Sequence, residues 1–159
     1  MFSLERRVEF CETDSARIAH FSSLAIYMEQ AEHSLFRSLG LSVFPQWNVF
    51  TTNALDDQSG ELSRALDVTW PRVHISLDFL GPARFEELLK IEVAVAKLGD
   101  SSVTFQHTIQ GPKHPVARGT SISVCCRIDR SNSHEIIKQP IPQLIRDKLK
   151  TFLPTQTQQ

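Results

Sequence analysis

The sequence predicts an α+β domain in which one long helix lies on an antiparallel sheet. Three observations carry this. Leu24, Met28, Ala31, Leu35 and Leu39 recur at spacings of four, three, four and four, which is one apolar stripe of a helix. Further along the chain the apolar period changes to two, in four runs separated by Gly81-Pro82, Gly99-Asp100 and Gly111-Pro112. An antiparallel sheet standing alone has an apolar face to cover, and the helix stripe is suited to cover it.

In chain order, Phe2 to Phe10 reads as a strand with Phe2, Leu4, Val8 and Phe10 on one face, interrupted by Arg6. A polar loop carrying Asp14 follows, and then the helix. Ser22 or Ser23 is suited to cap its first turn; with Ser22 as the cap, Phe21 and Ile26 stand where a hydrophobic staple would. Gly40 stops the helix at the C′ position. Leu41 to Gly60, interrupted by Pro45 and ending in the turn-rich DDQSG, reads as a connection that covers the substrate site, with Trp47 and Phe50 plugging the end of the core in preference to walling a pocket. Val73, Ile75, Leu77 and Phe79 then alternate with His74, Ser76 and Asp78. Leu89 to Lys97 is a second strand with Ile91, Val93 and Val95 in phase. Val103, Phe105, His107 and Ile109 mark a third. Val116 to Asp129 is a fourth, with Ile122, Val124, Cys126 and Ile128 as its apolar phase. Pro140 to Phe152 reads as a short helix with Leu144, Ile145, Leu149 and Phe152 on one face.

The 159 residues suit a single domain, 1–153, followed by a polar tail, 154–159. Hydrophobic residues make up 41% and charged residues 22%, which is ordinary for a soluble globular chain. The formal net charge of −1 gives no global field for nucleic acid. No apolar run is long enough to span a membrane, and MFSLERRVEF lacks the apolar centre of a signal peptide. The three cysteines form no CxxC and no disulfide frame, and adjacent Cys125 and Cys126 point to opposite faces of a strand, so the thiols are expected to be reduced, in the cytoplasm. The chain has no His/Cys cluster at zinc spacing, no phosphate-cradling Gly-rich loop and no G-x-S-x-G elbow, so no metal and no cofactor is expected.

The chemistry concentrates at the start of the helix, where a carboxylate precedes free N–H groups and the positive end of the helix dipole. The phrase F-C-E-T-D-S-A-R-I-A-H-F, followed by a helix with Y-M-E-Q-A, and the later V-H-I-S-L-D-F-L-G-P-A-R-F-E-E-L-L-K-I-E-V resemble two segments of the 4-hydroxybenzoyl-CoA thioesterase family of hot-dog-fold proteins. In that family they read F-x-D-T-D-x-x-G-h-h, Y-x-E-x-A and h-D-F-x-x-P-A-x-x-G-D-x-L-x-h. The order and spacing fit, from about Val8 to Asp129. The resemblance implies a hot-dog fold, with the sheet wrapped around the one long helix. It also implies Asp14 as nucleophile or general base on a thioester carbonyl, and the Phe21 N–H as the group that polarises that carbonyl. A thioester has a good leaving group, so a positioned carboxylate plus oxyanion stabilisation suffices.

Around this pair, His20 is a candidate to protonate the leaving thiolate or to orient Asp14. Glu29, at the helix glutamate of Y-x-E-x-A, is a candidate base or a structural group paired with His33. His74 is placed to line an acyl pocket. Lys97, Ser101 and Ser102 flank the Gly99 turn, which in the family lies near coenzyme A, and Arg84, Lys113 and Arg118 are further phosphate-binding candidates. Two departures stand out. Arg17 occupies a position where the family has glycine, and Ser23-Leu24 replaces Asn-Tyr. Arg17 is close enough to Asp14 to meet a substrate carboxylate or a coenzyme A phosphate. The expected activity is acyl-CoA thioester hydrolysis on an aromatic or short to medium acyl group, with coenzyme A entering as part of the substrate. The expected assembly is a homodimer or tetramer, because a lone sheet leaves edges exposed. The alternatives are a hydroxyacyl-thioester dehydratase and a non-catalytic acyl-CoA-binding protein.

Overall fold

The computed structural model describes residues 1–44, 65, 67–129 and 135–153; Trp47, Phe50, most of the connection after Leu41 and the polar tail lie outside the described residues. A five-stranded antiparallel sheet has the order β1-β3-β4-β5-β2. Its strands are β1 (Phe2–Arg7), β2 (Arg72–Phe79), β3 (Leu88–Leu98), β4 (Ser102–Gln110) and β5 (Pro115–Val124). The consecutive strands β3, β4 and β5 form a meander, while β2 returns to the far edge beside β5. A separate pair, β6 (Cys126–Ile128) and β7 (Ile136–Lys138), follows. Helix α1 (Phe21–Ser38) covers one face of the sheet, and α2 (Gln143–Lys150) packs Ile145 and Leu149 into the core.

The stripe predicted for α1 is buried at Leu24, Met28, Ala31 and Leu35, with Leu39 at its margin, and it is widened by Tyr27, Glu32 and Phe36. Gly40 stands at φ +65°, and the Gly40 and Leu41 N–H groups donate to the Arg37 and Phe36 carbonyls. This Schellman closure ends the helix where the glycine predicts. The opposite side of the core is built from Leu89, Ile91, Val93 and Val95 on β3 and from Val103, Phe105, His107 and Ile109 on β4, in the phase the alternation predicts.

Four expectations are corrected. β1 ends at Arg7, so Val8 is buried beyond it and Phe10 starts a 3-10 turn, Phe10–Glu12, with its ring in solvent. The cap of α1 is His20, whose Nδ1 accepts the Ser22 N–H and contacts Ser22 Oγ at 2.8 Å; Phe21 is the first helical residue and Ile26 is exposed, so no staple forms. The strand after Val116 breaks at Cys125, and its core phase is Ala117, Ser121 and Ser123, with Gly119 between them, rather than Ile122 and Val124. The helix lies so close to β5 that a Cβ on Gly119 would meet Met28 Cε at 2.8 Å, so small residues occupy the face that carries the packing and the larger ones turn outward. Finally, Val73, Ile75 and Phe79 of β2 alternate as predicted but remain exposed, because among the described residues nothing covers this edge.

Candidate active site

The loop between the 3-10 turn and α1 is folded on itself and docked at both ends. The Asp14 N–H donates to the Ile18 carbonyl (3.0 Å) and the Arg17 N–H to the Asp14 carbonyl (2.9 Å). Asp14 Oδ1 accepts the Ala16 N–H at 2.8 Å, a local turn of the kind Asp favours. Arg17 pays for this shape in backbone strain: its φ is +61°, a region that costs an L-residue about 1–2 kcal/mol. On one side the loop is stitched to the segment after β2, where the Ala19 N–H donates to the Ala83 carbonyl (2.7 Å) and Ile18 bridges Arg84.

On the other side, Glu12 fastens the loop to the helix. Its carboxylate accepts from the Tyr27 hydroxyl (2.6 Å), the Glu9 N–H (2.8 Å) and the Arg6 guanidinium. Its carbonyl accepts from the His20 N–H (2.8 Å) and the Ser23 hydroxyl (3.0 Å). Burial disfavours the charged Glu12, but the Tyr27, Glu9 and Arg6 donors outweigh it and hold the carboxyl below its usual range. Burial and the adjacent Glu12 carboxylate in turn raise the Tyr27 hydroxyl.

Asp14 itself is exposed and lies where two grooves meet. The first, about 450 Å³, runs past Ile18, Phe21 and Leu24 to Phe79, Leu80 and Pro82, and its walls are apolar apart from Asp14. The second, about 700 Å³, is lined by Thr13, Ser15 and Arg17 together with Phe10 and Phe85. Phe21 is the first residue of α1, so its N–H is among those a helix leaves without an intrahelical partner. A carboxylate, a free helix N-terminus and an apolar recess therefore converge, which suits attack on a carbonyl carbon with stabilisation of its oxygen.

The other candidates divide. Arg84 adjoins the loop through its bridge to Ile18. His20 is engaged as the helix cap and stacks on Phe21 with ring centroids 4.2 Å apart, while Asp14 takes its side-chain hydrogen bond from Ala16, so His20 does not orient Asp14. Glu29 lies on neither groove. It pairs with Arg72 at 3.3 Å, rather than with His33, beside a separate cavity of about 250 Å³. His74 projects from the outer face of β2, opposite the face that Ile75 shares with buried Ser121. Arg118 pairs with Asp78 on that outer face. Lys97, Ser101 and Ser102 stand at the other end of β3, whose 11 residues span about 35 Å. Ser101 is buried there, and Arg146 of α2 donates to the Gly99 and Asp100 carbonyls of the turn.

Sequence reasoning missed a second ionic cluster. Glu32, buried on α1, accepts from the Ser121 hydroxyl (2.5 Å) and pairs with Arg72 (2.7 Å) and with His107 Nε2 (3.1 Å). Burial works against its charge, but hydrogen bonds from His107 and Ser121 and the Arg72 charge prevail and keep its carboxyl below the usual range. Two signals pointed to it. Glu32 falls on the buried side of the α1 stripe, and His107 falls in the apolar phase of β4; an ionisable group in a core position requires a partner.

Comparison with known proteins identifies the fold and the family. A family model described as "Thioesterase superfamily" matches residues 17–117. A 1,4-dihydroxy-2-naphthoyl-CoA hydrolase of Synechococcus elongatus is 22% identical over 149 residues, covering 94% of this chain and 95% of that protein. Among solved structures, a 1,4-dihydroxy-2-naphthoyl-CoA thioesterase from Synechocystis superposes with a TM-score of 0.71 at 22% identity, covering 94% of this chain and 95% of its own. A gentisyl-coenzyme A thioesterase superposes with a TM-score of 0.68 at 21% identity, covering 91% and 98%. The fold is the hot-dog fold, and the enzyme class is thioester hydrolase. The chain belongs to the thioesterase superfamily.

Proposed function

We propose that this chain hydrolyses an acyl-CoA whose acyl group is aromatic, with Asp14 as nucleophile or general base. The observation that supports it most directly is the Asp14 carboxylate opening onto an apolar groove that begins at the N-terminus of α1. The relatives named for naphthoyl-CoA and gentisyl-CoA fit a flat acyl group in that groove. Asp14 attacks the carbonyl carbon, or takes a proton from a water that does. The Phe21 N–H stabilises the oxygen as it becomes negative. The C–S bond breaks, the thiolate leaves and is protonated, and water supplies the hydroxyl of the acid product.

A second copy belongs to the same proposal. β2 is an edge strand whose Val73, Ile75 and Phe79 are uncovered, an arrangement that a monomer rarely tolerates. Two copies paired antiparallel along β2 would bring the Lys97–Ser102 end of one sheet toward the Asp14 groove of the other. Light scattering should therefore give at least a dimer at micromolar concentration. An active monomer would defeat this part.

Asp14→Asn tests the mechanism, because it keeps shape and removes charge. The rate of a single turnover on benzoyl-CoA should fall by about 10² to 10⁴, the range for a positioned acid–base group. A rate near wild type would remove Asp14 from the chemistry.

A further inference from the structure

Asp14 and the Phe21 N–H must face one carbonyl for the proposed reaction to run, yet the Asp14 side chain does little to hold itself in place. It is exposed and accepts one local hydrogen bond, from the Ala16 N–H. We infer that the buried Tyr27 hydroxyl is a positioning group for this reaction: through Glu12 it sets the angle at which the Asp14 loop stands on the N-terminus of α1. The inference rests on the role proposed for Asp14 above.

The loop is a small hairpin on a hinge. The His20 N–H donates to the Glu12 carbonyl (2.8 Å), Thr13 bridges Ala19, and the Asp14 N–H donates to the Ile18 carbonyl (3.0 Å). Asp14 therefore stands one rung beyond Glu12. The other half of the Glu12 rung is His20, the cap of α1. A single rung at the cap leaves the hairpin free to tilt. The bonds to Ala83 and Arg84 steady its returning arm, Ile18 and Ala19, while the arm that carries Asp14 meets α1 through Glu12. Glu12 touches the helix at two heights. Its carbonyl accepts the Ser23 hydroxyl (3.0 Å), and its carboxylate accepts the Tyr27 hydroxyl (2.6 Å). Ser23 and Tyr27 are four residues apart on one helix face, so the two contacts are separated by about 6 Å along the axis. Two points fix an angle that one point does not.

Tyr27 is fully buried, so its hydroxyl has no water to turn to and is committed to Glu12. Arg6 closes the unit from β1: its guanidinium donates to Glu12 and lies 5.1 Å from the centre of the Tyr27 ring. Strand, loop and helix thus meet at one carboxylate. Neither Tyr27 nor Glu12 lines either groove, so their influence on a substrate there passes through the loop. Displacing a reacting group by about 1 Å can cost on the order of 10² in rate, which is the scale at stake.

The probe is Tyr27→Phe, which removes one hydroxyl and leaves Glu12 the Glu9 N–H and the Arg6 guanidinium. On benzoyl-CoA, at a temperature where melts show the variant folded, kcat should fall by about 10- to 100-fold with KM unchanged. Ile145→Val, on the buried face of α2, is the control: it should lower the melting temperature and leave kcat alone. A double-mutant cycle then asks what Tyr27 acts through. In an Asp14→Asn background, Tyr27→Phe should cost little further rate. The full cost in both backgrounds would mean that the hydroxyl does not act through Asp14, and would overturn the inference. An unchanged kcat, or a rise in KM alone, would overturn it as well. With Asp14→Asn slow and Tyr27→Phe at the wild-type rate, this inference fails and the role of Asp14 stands. With Asp14→Asn at the wild-type rate, or no turnover of benzoyl-CoA by wild type, the underlying reading fails and this inference falls with it.

Discussion

Asp14 and Glu32 flank the first half of the same helix, and they are held in opposite ways. Asp14 is exposed, takes one backbone hydrogen bond, and sits in a loop that includes a residue in the left-handed region. Glu32 is buried and has three partners, from β2, β4 and β5. A carboxylate in the first situation is available to a substrate, and its removal leaves few groups unsatisfied. A carboxylate in the second is committed, and its removal leaves the Arg72 guanidinium with Glu29 alone and the buried His107 imidazole and Ser121 hydroxyl with only each other. The hot-dog domain thus separates an exposed carboxylate, proposed above to react, from a buried one that holds helix to sheet.

The largest effect expected from breaking that separation is at Glu32. Glu32→Ala should cost about 3 kcal/mol of stability in urea unfolding, because it breaks a buried ion pair and two buried hydrogen bonds at once, while Arg72 keeps Glu29 as a second partner. Asp14→Asn, by contrast, should shift stability by about 1 kcal/mol at most, the scale of one local side-chain cap. If the two variants unfold at similar urea concentrations, the division of labour is wrong.

Acid should have a smaller and graded effect. The folded Glu32 and Glu12 carboxyls both lie below their ordinary value of 4.5, so the unfolded chain binds protons more readily around that pH. Their contribution is therefore present above about pH 4.5 and is lost as pH falls through the folded values. Melting temperature measured from pH 7 down to pH 3 should be flat and then drop below about pH 4.5. In Glu32→Gln the drop should be shallower, starting from a lower plateau. A drop as steep as that of wild type would show that Glu32 is not among the groups that take up protons on acid unfolding.

The two clusters also differ in how far the sequence reveals them. The Asp14 loop lies within one contiguous phrase that ends in a helix stripe, so its residues, and the helix they precede, are legible in order. Glu32, Arg72, His107 and Ser121 come from four elements and meet only once the sheet closes on α1. Each carried a faint local sign, but their pairing is tertiary. The same limit explains β5, where apolar Ile122 and Val124 mark the wrong face because the helix approaches too closely for anything but small residues. It explains the α1 cap as well, since an imidazole acceptor at His20 falls outside the usual preference for Ser, Thr, Asp and Asn. At β2 the alternation is legible, but nothing among the described residues covers its apolar face.

The smallest predicted effect concerns the second left-handed residue. Glu86 stands at φ +71°, at the glycine of the P-A-x-x-G-D pattern, beside Phe85 of the larger groove. Its N–H donates to the Val8 carbonyl at 3.0 Å, and Arg7 Nη1 donates to its carbonyl at 2.8 Å; glycine would keep both bonds. Lost would be the Arg7–Glu86 carboxylate contact at 3.3 Å, which is exposed and worth little. Gained would be relief of about 1 kcal/mol of backbone strain, partly offset by the greater freedom of glycine in the unfolded chain. Glu86→Gly should therefore stabilise the fold by about 0.5 kcal/mol, seen as a rise of about 1–2 °C in melting temperature for a chain of this size. Arg17→Gly should show a similar rise, since it relieves the same kind of strain. A fall in melting temperature for both variants would show that neither backbone is relieved by glycine at its left-handed position.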